Sequence, residues 1–136
     1  MEQLHVLALL EATQQFEKKL NLALMYSGLR IPQFRAMVFL GKSGKITVSD
    51  LSRYMNVTRA TMSVLVNQLL SASIVESIIN KKDKRSFYIK LTESGLRRLE
   101  LAQREVSLVE NNISNSFSLD TVIALNKFSK EMLSKI

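Results

Sequence analysis

Residues 47–91 read TVSDLSRYMNVTRATMSVLVNQLLSASIVESIINKKDKRSFYIKL, and this stretch decides the fold. Thr47 stands directly before a helical run, Val48 to Met55, and Asp50 three residues on makes a capping-box-like pair with it. Thr58 stands in the same way before a second run that lasts to Ser71. In that run Met62, Leu65, Val66, Leu69 and Leu70 fall at i, i+3, i+4, i+7 and i+8, one face of a helix. The period then changes. Ile74 to Ile79 is β-branched, and Phe87, Ile89 and Leu91 alternate with Tyr88 and Lys90, which predicts two strands joined by the polar tip Asn80 to Ser86. Helix, tight turn, helix and basic hairpin are the layout of a helix-turn-helix followed by a wing.

Outward from this unit the chain reads as helix. Toward the N-terminus, about Glu2 to Ser27 places Leu4, Leu7, Leu10, Phe16, Leu20 and Leu24 near one helical face, and Gly28 ends the run. A second helix, about Pro32 to Leu40, carries Phe34, Met37, Val38 and Phe39 and is expected to stop at the turn Gly41 to Gly44. Lys45, Ile46 and Thr47 leave room for a very short strand. Beyond the hairpin, Thr92 caps a helix whose Leu99, Ala102, Val106, Val109 and Ile113 alternate spacings of three and four, a coiled-coil-like seam. Ser118 can cap a last helix carrying Val122, Leu125, Phe128, Met132 and Ile136. The expected class is mainly α with a small β-hairpin (α+β), a single domain over residues 1–136. A central lobe is expected at about 32–91, flanked by terminal helices at about 1–28 and 92–136.

Two surfaces of the central unit carry the chemistry. At about 100° per residue, the face of the second helix opposite its apolar stripe displays Ala60, Thr61, Val64, Asn67 and Gln68. Its start adds Thr58 and Arg59, and the long arginine stem reaches past its own backbone position. The small residues at the front allow close approach to a major groove. Thr61, Ser63, Asn67 and Gln68 can bond base edges or phosphates, Arg59 suits a guanine or a phosphate, and Val64 suits a thymine methyl. An amphipathic helix alone is no more than a solvent face. Its coupling to a capped helix before it and a basic hairpin after it turns the reading toward double-stranded DNA. The hairpin tip holds Lys81, Lys82, Lys84 and Arg85 with one acid, Asp83. Arg85 is placed to enter a minor groove, where narrow A·T stretches concentrate negative potential. Asp83 would be repelled there, and its natural role is to pair with the arginine.

Composition narrows the alternatives. In 136 residues the net charge is +7 and the hydrophobic fraction 46%, with one proline, which is a basic, foldable chain rather than a disordered one. At this length folding buries about two-thirds of the accessible surface. The absence of cysteine removes thiol nucleophiles, thiolate metal sites and disulfides. His5 is the sole histidine, which leaves no two-histidine metal site, and it is expected at a surface or interface. Gly41-Lys42-Ser43 resembles the end of a phosphate-binding loop, but the glycine required five positions before Gly41 is Ala36. No enzyme chemistry, cofactor or metal is therefore expected. The apolar run Val6 to Leu10 is too short for a signal segment or a membrane span, so a cytoplasmic protein without a membrane partner is expected.

Asp83-Lys84-Arg85, Leu91-Thr92 and Gly95 together resemble the wing of the MarR family and its Leu-Thr-x-x-Gly entry into the next helix. Val57-Thr58-Arg59-Ala60-Thr61-Met62-Ser63 is similar to that family's recognition-helix start, and the order of elements agrees along essentially the whole chain. The resemblance implies a transcriptional regulator, a triangular homodimer with interlocked terminal helices, and a pseudo-palindromic operator read one half-site per subunit. It further implies that Asp83 braces Arg85, and that an effector cleft lies between dimerisation helices and lobe, for which Met25, Tyr26 and Arg30 are candidate walls. Repression is expected because a dimer covering a promoter blocks polymerase. Three positions depart from the family pattern: Val64 where a basic residue is common, Ser73 for a glycine before the hairpin, and Ser77 for an arginine in its first strand. The competing reading is a winged-helix module that grips a protein through the same surfaces.

Overall fold

The computed structural model describes residues 2–135, so Met1 and the apolar Ile136 assigned above to the last helix lie outside the described residues. In chain order the elements are α1 (Val6–Leu24) with a 3-10 turn (Met25–Ser27), α2 (Ile31–Ser43), β1 (Lys45–Thr47), α3 (Val48–Met55) and α4 (Arg59–Ser71). There follow β2 (Val75–Ile79), β3 (Phe87–Leu91), α5 (Glu93–Ser116) and α6 (Leu119–Lys135). No described helix is long and apolar enough to cross a membrane.

The predicted caps at the centre are made. Thr47 Oγ1 accepts from the Asp50 amide at 3.2 Å, Thr58 Oγ1 from Thr61 at 3.1 Å, and Thr92 Oγ1 from Gly95 at 3.0 Å. Each satisfies one of the orphan donors of a helix start. Between α3 and α4 the chain turns through Asn56 at φ 55°, and the buried Ser52 hydroxyl donates to the Val57 carbonyl at 2.8 Å. Asn tolerates this left-handed geometry well. Met62, Leu65, Val66 and Leu69 of α4 are buried against a core whose largest fully enclosed side chains include Leu24, Met37, Leu40, Leu51 and Ile89.

Four local expectations need correction. The capping-box-like pair is half made, because the Asp50 carboxylate turns to Arg53 instead of reaching back to the cap. The second helix does not stop at Gly41 but runs to Ser43 and ends at Gly44, whose φ is 81°. Gly41 lies inside α2, close to α5: a Cβ there would meet Leu99 Cδ2 at 3.2 Å. The sheet is more than a hairpin, since β1 adds to β3 with Ile46 opposite Ile89, giving the antiparallel order β1-β3-β2. The first helix begins at Val6, and its last turn tightens into the 3-10 segment.

The terminal helices bury little within one chain. On α1, Leu24 is buried and Leu20 half-buried, whereas Leu7 and Leu10 stand exposed, as do Leu119 and Leu133 of α6. Among the described residues α6 has no extensive contact with any other element, while α5 packs on α1, α2 and β3.

Ser73, just past α4, adopts φ 58°, a left-handed conformation that suits glycine. The departure noted at that position thus puts a serine where the backbone favours glycine. Its carbonyl accepts from Thr92 Oγ1 at 2.6 Å, and that backbone bond survives removal of the side chain. Ser73→Gly is therefore expected to raise stability by roughly 0.5–1 kcal/mol, because relief of the left-handed strain outweighs the added chain entropy. Thermal denaturation followed by circular dichroism checks it.

Candidate nucleic-acid interface

The front of α4 is free. Thr58, Arg59, Ala60, Thr61, Ser63, Val64, Asn67 and Gln68 are all exposed, and the four side chains behind them hold the helix to the core. A helix of this length is about 20 Å long, and the major groove of B-DNA is about 12 Å wide, so its front can lie in one. Thr58 Oγ1 also donates to Thr61 Oγ1 at 3.0 Å. The Thr61 hydroxyl therefore already accepts from within the helix and has its own proton to offer outward, which makes it a donor toward phosphate oxygens or base acceptors. Val64 is 59% exposed, an apolar patch in the middle of a polar face.

Gln33, at the start of α2, is a residue that no pattern in the sequence singles out. Its Oε1 accepts from the Arg30 amide at 3.0 Å and its Nε2 donates to Gln68 Oε1 at 3.3 Å. The amide of Gln68 is thereby turned with oxygen toward α2, which leaves its NH2 group to donate outward. A contact across 35 residues leaves no local trace in a sequence.

On the hairpin loop, Lys81, Lys82, Lys84 and Arg85 are exposed and Asp83 is half-buried. Asp83 Oδ1 accepts from the Arg85 backbone N–H at 3.0 Å and from its Nε at 3.3 Å. With the Arg85 side chain 93% exposed, this ion pair contributes little to stability, and its effect is to orient. Lower in the sheet, Lys90 pairs with Glu76 at 3.8 Å, and the Lys45 ammonium sits 4.8 Å from the centre of the Tyr88 ring.

Helix and loop meet. Arg59, Ser63 and Asn67 from α4 and Arg85 from the loop line a single cleft of about 230 Å3. The two arginines thus flank one concavity from opposite elements, next to the starts of both α3 and α4, whose free backbone N–H groups add partial positive charge. The arrangement offers hydrogen-bond donors along a helix front and four cations on a loop beside it, which matches an anionic duplex more closely than a protein surface.

The three candidate cleft residues are divided. Met25 and Tyr26 line an open, mainly apolar groove of about 840 Å3 between α1 and α5, but Arg30 is not part of its lining. Gly28, at φ 69°, turns the chain between them, and Arg30 caps the start of α2 instead. Arg98 of α5 holds this turn by donating to the Ser27 carbonyl from Nε at 3.2 Å and Nη2 at 2.9 Å. His5 lies just before α1 and is exposed. Among the described residues no group of three His, Cys, Asp or Glu is gathered as a metal site would need.

Residues 27–86 match the family model described as MarR family. The HTH-type transcriptional regulator PetP of Rhodobacter capsulatus is 33% identical over 73 residues, 52% of this chain and 44% of that protein. This chain therefore aligns with less than half of PetP's length. The multiple antibiotic resistance protein MarR of Salmonella typhimurium is 25% identical over 121 residues, 88% of this chain and 84% of that one. A mutant MarR from E. coli, solved in complex with operator DNA, has the same fold with a TM-score of 0.83 at 23% identity, over 93% of this chain and 91% of the other. At that identity the likeness speaks for the fold alone.

Proposed function

We propose that this chain is a regulator of the MarR family, a reading its match over residues 27–86 supports, and that it binds a pseudo-palindromic operator as a homodimer and acts as a repressor in the cytoplasm. The family match and the relatives PetP and MarR support a regulator of transcription rather than an enzyme. The observation that carries the reading is the shared cleft: Arg59 of α4 and Arg85 of the loop face one concavity, so one double helix can be engaged by helix front and wing together. Arg59, Thr61, Ser63, Asn67 and Gln68 read base edges or phosphates in the major groove, with Thr58 and Ala60 at the close-approach end and Val64 against a thymine methyl. Lys81, Lys82 and Lys84 meet phosphates, and Arg85, braced by Asp83, reaches the adjacent minor groove. In this division, the lobe of about residues 32–91 reads DNA while residues 1–28 and 92–136 pair two subunits. The uncovered apolar residues of α1 and α6 support that pairing, because a lone chain would leave them in water. A dimer seated over a promoter would exclude polymerase, which supports repression. The groove holding Met25 and Tyr26 supports release by a small, largely apolar effector.

Selection of bound duplexes from a random pool tests the reading. The expected product is an imperfect palindrome whose half-sites lie about 34 Å apart, one turn of DNA. On the selected duplex Arg85→Ala is expected to weaken binding roughly tenfold whatever the sequence, whereas Asn67→Ala changes which bases are preferred. Gel-shift affinities and a repeated selection report both. Unchanged affinity and preference in the two variants would remove the helix-and-wing assignment, and no recovery of any duplex would favour the protein-gripping module.

A further inference from the structure

Three polar residues are buried in the described chain: Ser27, Ser52 and Asn80. The two serines close helix ends, Ser27 onto the Leu24 carbonyl at 2.9 Å and Ser52 onto Val57. Asn80 is different, because it lies 7% exposed at the base of a loop whose lysines and arginine are all in solvent. Its Oδ1 accepts from the amides of Lys82 at 3.1 Å and Asp83 at 3.3 Å, and its Nδ2 donates to Ser86 Oγ at 3.0 Å. Two backbone N–H groups can only donate, so the oxygen must face them and the orientation of the amide is fixed by its partners. Ser86 closes the ring: its backbone N–H donates to the Asp83 carbonyl at 3.2 Å, with its hydroxyl 3.4 Å from the same oxygen.

We propose that Asn80 is the positioning residue of the wing, acting on DNA through Asp83 and Arg85 rather than by touching it. The buried amide holds the backbone of Asp83; the Asp83 carboxylate then holds the Arg85 backbone N–H and Nε. Four cations within five residues repel one another and favour an open, fluctuating loop. A loop ordered only on binding lowers affinity by the entropy of ordering it, and one ordered beforehand does not. The tip supplies no apolar side chain of its own between residues 80 and 86, so this side-chain hydrogen-bond ring is what orders it. Asparagine suits the position because one group must accept from two amides and donate to a hydroxyl.

The proposal rests on the DNA-binding reading for its affinity part alone, and amide exchange separates the two. Asn80→Ala is expected to weaken binding to the selected duplex by roughly tenfold, with the melting transition of the fold little changed. By nuclear magnetic resonance the Lys82 and Asp83 amides are expected to exchange slowly in the wild type and fast in this variant. Asn80→Asp keeps the accepting oxygen and is expected to restore slow exchange of both amides. Wild-type affinity in Asn80→Ala, or fast exchange in both variants, would overturn the proposal. Slow exchange of both amides in Asn80→Ala would overturn it as well. A wild-type protein that bound no duplex would instead defeat the function proposed above, and the exchange rates would then decide the role of Asn80 in ordering the loop.

Discussion

Gly95→Ala is expected to destabilise the protein by about 3 kcal/mol and lower its melting temperature by on the order of 10 °C. Gly95 lies in the first turn of α5 and is buried. A Cβ on it would fall 2.1 Å from the Ile74 carbonyl oxygen, 3.0 Å from its carbon and 3.3 Å from its Cα. All three are backbone atoms, so no side chain can swing away. Retreat of the helix is blocked too, because the same Ile74 oxygen accepts from the Thr92 N–H at 3.0 Å, with Thr92 Oγ1 at 3.2 Å. Relief must therefore break the seam that joins the end of α4, the start of β2 and the start of α5. Gly41→Ala is the control. Its Cβ would meet only the ends of flexible side chains, Leu99 Cδ2 at 3.2 Å and Leu91 Cδ1 at 3.8 Å, and the better helix propensity of alanine offsets the crowding, so a change under about 1 kcal/mol is expected. Thermal melts of the two variants side by side decide the point. If Gly95→Ala melted like the wild type, the close approach of α5 to Ile74 would be wrong.

The second large effect is on DNA affinity. Two copies of a chain with net charge +7, each offering Arg59 and four cations on a loop, can neutralise about 6–10 phosphates and release the counterions those phosphates held. Affinity for the selected duplex is then expected to fall by about 10³–10⁵ between 50 and 200 mM salt. Fluorescence anisotropy over a salt series gives the slope. Arg85→Ala removes two contacts per dimer, and the slope of log affinity against log salt should become shallower by about 2. A duplex affinity indifferent to salt would leave the basic face without its assigned partner.

How far the sequence alone reaches is set by the range of the forces involved. Helix starts are local, and Thr47, Thr58 and Thr92 announce themselves because cap and capped amide are three residues apart. The stripe on α4 and the alternation in β3 are legible for the same reason, since one element decides them. Gly41 misleads because a glycine inside a helix looks in sequence like one that ends it, and its neighbour Leu99 of α5 lies far along the chain. The pairing of β1 with β3 involves three residues on one side, too few for a pattern. Met25, Tyr26 and Arg30 are near neighbours in sequence but are parted by the left-handed turn at Gly28. Of the candidate interface, the exposed face of α4 and the charged loop could be read directly from composition and period. Gln33 and Asn80 could not, because an ordinary amide in a sequence carries no sign of what it will hold.

Leu7, Leu10, Leu119 and Leu133 stand bare on a solitary chain. If a second copy covers them, acquiring the native shape and meeting a twin become one event, and the population that is folded depends on how many chains are present. Abundance would then govern operator occupancy twice over, once through supply of the reader and once through its very integrity. A scarce regulator of this build would fade more steeply than its numbers alone imply.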